Sequence, residues 1–301
     1  MYRHKVSLLS LIVLILLAAC GQPTAGSDDA ASTPHATTSA PAAGGGTIQP
    51  VLATSEIVVG PNRVALGLLE NNVPIPDAAE TKVTVRYYKV HGDTATLVGE
   101  EKARYYGQGL GNRGAYIVHP TFDEAGSWGF EVVAERPGKA LTAERIAIEV
   151  TEKGNAVAPG MPAPQSKTPT AAQVQDLTTI TSDSKPDTRL YQMSVAQAVS
   201  SGKPSLILFA TPGFCQTAVC GPGVDVVQRL ADTFGDKINV VHVEIYQYPF
   251  ERLQQVAAMK EWGLRTEPWL FLVDKAGQVT DRFEGGITYE EIEPAVTKLV
   301  Q

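Results

Sequence analysis

Cys215 and Cys220 are the residues of this chain whose type and spacing most directly imply chemistry. A thiol attacks as its thiolate, and two thiols within reach of each other can exchange with a partner disulfide through a mixed-disulfide intermediate. The pair lies in Phe214-Cys215-Gln216-Thr217-Ala218-Val219-Cys220, followed at once by Gly221-Pro222-Gly223. Five residues along an unbroken helix would hold the two Cα atoms about 8–9 Å apart, whereas a disulfide tolerates at most about 7 Å. A bond between them and a regular helix through both therefore exclude each other. Either the helix begins before Cys220 and its first turn unwinds on oxidation, or it begins at Pro222, a residue suited to a first helical position, and the change stays in the loop. A helix N-terminus beside the thiols favours the thiolate. Glu267, if it points inward, opposes it.

The remaining candidates for chemistry are weaker. His91 and His119 have no second His, Cys or Met at ligand spacing and read as turn or surface residues. His242 falls inside an apolar run and reads as a packed core residue. No metal or cofactor is expected. The formal net charge of −7 argues against a phosphate backbone as ligand, so nucleic acid is not an expected partner.

The elements that must position the cysteines alternate between helix and strand from about Arg189 onward. Ser194 caps a short helix that Gly202 ends. Ser205-Leu206-Ile207-Leu208-Phe209-Ala210 is a continuous apolar run, suited to a strand covered on both faces. Val224, Val227, Leu230, Ala231 and Phe234 share one face of a helix that stops at Gly235. Ile238 to Val243 is the next strand, followed by a predicted helix from about Phe250 to Trp262. A strand over Leu270 to Val273, the turn Asp274-Lys275-Ala276-Gly277, a strand from Val279 and an amphipathic helix over Thr288 to Val300 complete the set.

This order of strand, cysteine pair, helix, strand, helix, Trp262-Gly263-Leu264-Arg265-Thr266-Glu267-Pro268, strand, hairpin and helix resembles thioredoxin. Gly202-Lys203-Pro204 and the hairpin look like the membrane-tethered extracytoplasmic thioredoxins in particular. The resemblance covers 189–301 and implies an α/β thioredoxin-like domain, a central mixed sheet flanked by helices. It implies a cis bond before Pro268, packed beside the cysteines, with Phe214, Glu267 and Trp269 as supporting residues of the site. Cys220 aligns with the family's buried cysteine and Cys215 with its exposed one. The family pattern is Cys-x-x-Cys, so this chain departs from it by two extra residues.

The first half of the chain has a different character. Arg3 and Lys5 precede an apolar run from Val6 to Leu17 that is short for a membrane span of roughly 20 residues. Leu17-Ala18-Ala19-Cys20-Gly21 resembles the lipobox of bacterial lipoproteins, which implies a signal peptide over 1–19, lipid on Cys20 and anchoring to the cell membrane on its extracytoplasmic side. Cys20 then accounts for the odd member among three cysteines. Residues 20–54, rich in Gly, Pro, Ser, Thr and Ala, are expected as a disordered tether. Residues 55–152 alternate with period two: Val83-Thr84-Val85-Arg86-Tyr87, then Trp128, Phe130 and Val132, then Ile146, Ile148 and Val150. Turn signals fall between them, and the pattern argues an N-terminal all-β sandwich. Ala115-Tyr116-Ile117-Val118 followed by Ala125-Gly126-Ser127-Trp128 resembles the end of an Ig-like envelope module, and the sandwich is expected to act as spacer or docking surface. Residues 153–188 carry Pro159, Pro162, Pro164, Pro169 and Pro186 and read as a Pro-rich linker.

Three functions remain open on the sequence. The first is a thiol–disulfide oxidoreductase acting on protein thiols or disulfides of the cell envelope, with Cys215 attacking and Cys220 resolving. The second is a non-catalytic tethered adaptor whose cysteines form a structural disulfide. The third is a thiol peroxidase, since Thr211-Pro212-Gly213-Phe214-Cys215 resembles peroxiredoxins of the bacterioferritin-comigratory type.

Overall fold

A computed structural model describes residues 48–139, 141–216 and 219–301. Cys20, the signal segment and most of the predicted tether lie outside the described residues. The described residues belong to one compact unit, in which an antiparallel β-domain is followed by an α/β domain.

The β-domain contains strands β1 (Ile48–Leu52), β2 (Gly60–Pro61), β3 (Val64–Glu70), β4 (Val73–Pro74), β5 (Lys82–His91), β6 (Thr94–Tyr106), β7 (Ala115–Val118), β8 (Thr121–Phe122), β9 (Gly126–Glu135) and β10 (Thr142–Val150). Their order is β1-β3-β7-β6-β5-β9-β10, with β4 on β3 and a separate β2-β8 pair. β6 is the joint. Its first part pairs with β5 and its last three residues, Arg104 to Tyr106, pair with β7. The two layers it connects share one core, in which Val64, Leu66, Tyr116 and Val118 meet Val83, Val85, Trp128, Phe130 and Val132. These are the inward members of the alternating runs, as period-two patterning requires.

β1 shows that the folded part begins earlier than residue 55. Ile48 to Leu52 pair with Glu70 to Leu66 of β3. A strand this short, without charge and next to a Gly/Ala/Ser tract, carries too little pattern to separate it from the tether.

The α/β domain contains α1 (Val195–Val199), β11 (Ser205–Ala210), α2 (Cys220–Phe234), β12 (Asn239–Glu244), α3 (Ala257–Glu261), β13 (Trp269–Val273), β14 (Val279–Glu284) and α4 (Tyr289–Leu299). The sheet order is β12-β11-β13-β14, with β11 and β12 parallel and the other pairs antiparallel. All residues of β11 are buried because both faces are covered. Leu206, Leu208 and Ala210 pack with Val224, Val227, Leu230, Ile292 and Val296 of α2 and α4. Ile207 and Phe209 pack on the opposite face with Val195, Ala198, Met259 and Trp262.

Two elements differ from expectation. The predicted helix over Phe250 to Trp262 is only a 3-10 turn at Phe250–Arg252 and the short α3. Leu253 turns left-handed (φ 51°), and the chain then pairs back on itself, Gln247 N–H to Gln254 O at 2.8 Å and Val256 N–H to Ile245 O at 2.9 Å. Those bonds compete with the helical ones and win.

The Pro-rich stretch 153–188 is packed onto the α/β domain, which corrects its reading as a linker. Gly160 N–H donates to Val279 O at 2.8 Å, Val279 N–H to Met161 O at 2.9 Å and Ala163 N–H to Gly277 O at 2.9 Å, so the segment lies along the edge of β14. Ala156, Val157 and Ala163 enter the core on the α1/α3 face, and Ile180 enters it on the α2/α4 face. Ser166 accepts from Trp262 Nε1 at 3.2 Å and bonds the Glu261 carboxylate. Proline forbids helix and central strand but not an extended edge. The apolar residues between the prolines decide that the segment docks.

Candidate active site

The strand β11 ends at Ala210, and Thr211 to Cys215 form the turn that carries the first thiol outward. Phe214 N–H donates to Thr211 O at 3.2 Å, and Gly213 N–H donates to Ser182 Oγ at 3.0 Å. A Cβ at Gly213 would stand 2.9 Å from Ser182, so glycine is needed for the docked Pro-rich segment to brace this turn. Nothing in the sequence pairs residues 182 and 213.

The helix α2 starts at Cys220 itself, with Val219 as its N-cap and Gly223 N–H donating to Val219 O at 3.0 Å. Pro222 is thus inside the first turn, where its missing N–H costs nothing. Cys215 lies outside the helix, which removes the reach conflict for a bond between the two. Cys220 is fully buried in the α2/α4 core, whereas Cys215 is half-buried at its margin. Both are thiols in this structure.

The bond between Glu267 and Pro268 is cis, and Pro268 leads into β13, the strand paired with β11. This arrangement turns the Glu267 carboxylate toward the cysteines. Cys215 Sγ, Cys220 Sγ and a Glu267 carboxylate oxygen all lie within 4.8 Å of one another. The hydrogen bond with Cys215, then burial, pushes the Cys220 thiol well above the ordinary thiol range, the Glu267 charge adds to this, and a backbone bond from Thr211 works against it. Burial, the nearby Cys215 and Glu244 raise Glu267 in turn. The inward carboxylate therefore opposes the thiolate-favouring helix N-terminus at Cys220.

The other predicted supporting residues separate by role. Phe214 meets Tyr246 and Phe250 edge-on, at centroid distances of 6.4 and 6.2 Å, forming an aromatic flank whose second half the sequence does not announce. Trp269 points away from the thiols: its ring stacks on Phe271 at 5.7 Å, Arg282 lies over it at 5.5 Å, and its Nε1 donates to Thr266 Oγ1 at 3.0 Å. It holds the segment before Pro268 through Thr266 and does not line the site. His242 is buried, with Nδ1 at 2.7 Å from Tyr191 Oη and Nε2 at 3.2 Å from Ala210 O. His91 and His119 lie on the surface near Glu124 and Glu101.

A cavity of about 620 Å³ opens beside the thiol loop. Gln216, Val219 and Glu267 form one wall, and Leu52, Leu69 and Tyr116 of the β-domain belong to the other. The β-domain is held there by polar bonds. Arg63 pairs with Glu291 at 2.6 Å and donates to Glu284 O and Gly286 O at 2.7 and 3.2 Å. Glu56 accepts from Asn155 N–H at 2.6 Å. The β-domain, expected as a spacer or docking surface, thus lines the cavity beside the thiols. Among the described residues, no helix is long and apolar enough to cross a membrane.

No protein-family model matches this chain, and no curated protein matches it. Among solved structures, DsbF of MTB is 22% identical, over 35% of this chain and 85% of that one, with a TM-score of 0.29. A thiol:disulfide interchange protein DsbE from Chlorobium tepidum, described as putative, is 15% identical over 48% and 100%, with a TM-score of 0.35. Murine CRIg is 15% identical over 35% and 99%, with a TM-score of 0.23. The strand order, the cysteines at the β11–α2 junction and the cis-proline at the start of β13 together give the C-terminal domain a thioredoxin-like fold.

Proposed function

We propose that this chain is a thiol–disulfide oxidoreductase of the cell envelope, tethered to the membrane by lipid on Cys20, with Cys215 and Cys220 as its reacting pair. The observation that carries this reading is the meeting of a half-exposed and a fully buried sulfur, within 4.8 Å, at the start of α2. Cys215 attacks a partner disulfide as the thiolate; the partner's S–S bond breaks, and its leaving sulfur takes a proton. Cys220 then gives up its proton to the Glu267 carboxylate, which lies within 4.8 Å, and attacks Cys215 Sγ; the mixed disulfide between Cys215 and the partner breaks, and the partner's second sulfur leaves and takes a proton. The partner leaves with two thiols, and two electrons have passed from the pair, which ends as the Cys215–Cys220 disulfide. The reverse sequence oxidises a partner dithiol. No cofactor takes part.

The Ig-like sandwich, in this reading, is one wall of the groove in which the partner's cysteine segment lies. Mass mapping of Cys215 and Cys220 across a graded dithiothreitol buffer tests the proposal. A potential in the exchange range supports it. A value well below about −300 mV marks a structural bond and leaves the adaptor reading.

A further inference from the structure

We infer that the reduced site also binds a borderline-soft divalent cation of the zinc class, through Cys215 Sγ, Cys220 Sγ and one carboxylate oxygen of Glu267. These three ligand atoms already lie within 4.8 Å of one another. Tetrahedral zinc, with Zn–S bonds of about 2.3 Å and Zn–O bonds of about 2.0–2.2 Å, sets its ligands roughly 3.5–3.8 Å apart. The residual closure is about 1 Å, the scale of a side-chain rotation.

The donor set fits this class of ion better than others. Two thiolates discriminate against magnesium and calcium, which take oxygen ligands in larger number. Three protein ligands leave a fourth tetrahedral position open, the pattern of reactive zinc sites. The three ligands come from separate places in the chain, the β11–α2 turn, the first residue of α2 and the residue before Pro268, so the fold itself builds the triangle. Cys220 is fully buried, which limits competition from water. His242 does not contribute, since both of its ring nitrogens are already engaged.

Binding moves protons and no electrons. Two Zn–S bonds form as two S–H bonds break, and both protons pass to solvent. The metal-bound pair and the disulfide use the same sulfur electrons and exclude each other, so the cation holds the site in its reduced state. A two-cysteine exchange site needs no third ligand. The demand for Glu267 separates this inference from the proposed redox function.

The test uses the full chain carrying Cys20→Ala, reduced, in detergent and without oxygen, with Co²⁺ as optical probe and Zn²⁺ as competitor. One Co²⁺ per chain is expected, with thiolate-to-cobalt charge-transfer absorption that Zn²⁺ abolishes. Zn²⁺ should also protect both Cys215 and Cys220 from alkylation. Glu267→Gln should weaken Zn²⁺ binding about tenfold or more, and Glu267→Asp, which keeps the carboxylate, should recover part of the loss. Absence of the charge-transfer band, or a smaller loss in Glu267→Gln, overturns the inference; if that variant does not fold, tenfold weakening in Cys215→Ser with one-to-one binding in the parent is the required result, and anything less overturns it. The dithiothreitol titration run in the presence of a chelator is independent of all these outcomes, so the redox reading and the metal site fail separately.

Discussion

The backbone N–H of Ser55 donates to Glu284 Oε2 at 2.8 Å, joining the segment after β1 with the last strand of the thioredoxin-like sheet 229 residues later. The other carboxylate oxygen accepts from Thr266 Oγ1 at 2.6 Å. Thr266 is the neighbour of Glu267, so one buried carboxylate ties the β-domain to the corner that faces the thiols.

Glu284 should make the stability of this junction depend on pH. Burial raises it above its ordinary 4.5, against the bonds from Ser55 and Thr266. A carboxyl raised in the folded state is penalised once ionised, so its favourable contribution is complete below about 4.5 and is lost as pH rises through the folded value. Chemical unfolding of the parent and of Glu284→Gln should therefore show the parent gaining relative stability as pH falls from 7 toward 4.5. A pH-independent difference would contradict this. Glu284→Ala, which leaves Ser55 N–H and Thr266 without their acceptor, should cost about 1–3 kcal/mol at neutral pH.

Arg63 is the larger clamp. Its side chain and that of Glu291 are 10% and 7% exposed, and removing one member of a buried pair strands the other. Arg63→Ala should cost about 3–5 kcal/mol. The same unfolding measurement checks it, and a loss under about 1 kcal/mol, the worth of a surface pair, would show that the Arg63–Glu291 contact is solvated.

The two cysteines should react unequally. In the reduced chain Cys215 should be alkylated faster than Cys220, whose sulfur is buried and holds its proton through Cys215. Cys220→Ser should trap mixed disulfides on Cys215, as expected when the resolving thiol is missing. Glu267→Gln removes a charge that raises Cys220, so alkylation of Cys220 should extend to lower pH in that variant. Mass mapping of each cysteine over a pH series reads all three effects, and faster labelling of Cys220 in the parent would reverse the assigned roles.

The Pro-rich segment should be required for folding of the C-terminal domain. A fragment starting at residue 189 lacks Ala156, Val157, Ala163 and Ile180 from two cores and leaves the edge of β14 bare. It should be less cooperative and less stable than a fragment starting at residue 153. Gly263→Ala probes the same contact in the full chain. Gly263 has φ +68° and a Cβ there would stand 1.8 Å from the Asn155 carbonyl oxygen. Left-handed strain and overpacking together should cost about 2–4 kcal/mol. Equal thermal stability of the two fragments would show that the segment is the linker its prolines suggest.

Local pattern by itself determined much of this protein. Period-two alternation marked β5 and β9, the unbroken apolar run marked β11, and the spacing of Val224, Val227 and Leu230 marked the buried face of α2, because burial repeats with the geometry of each element. The segment before Pro268 was legible only through its resemblance to thioredoxin. Tertiary structure alone decided where chain segments distant in sequence meet. A Pro-rich stretch has the same composition whether it is solvated or lies along a sheet edge, and only the N–H and C=O groups at the start of β14 and the apolar cluster around Trp262 make it dock. Glu267 carries no sequence signal for its orientation; the path of the chain through Pro268 turns it toward the sulfurs. The β-domain reads as a separate module because its strands pair within themselves, yet Ser55, Glu56 and Arg63 find partners beyond residue 150 that no periodicity connects to them. Those few long-range polar contacts make it one wall of the site.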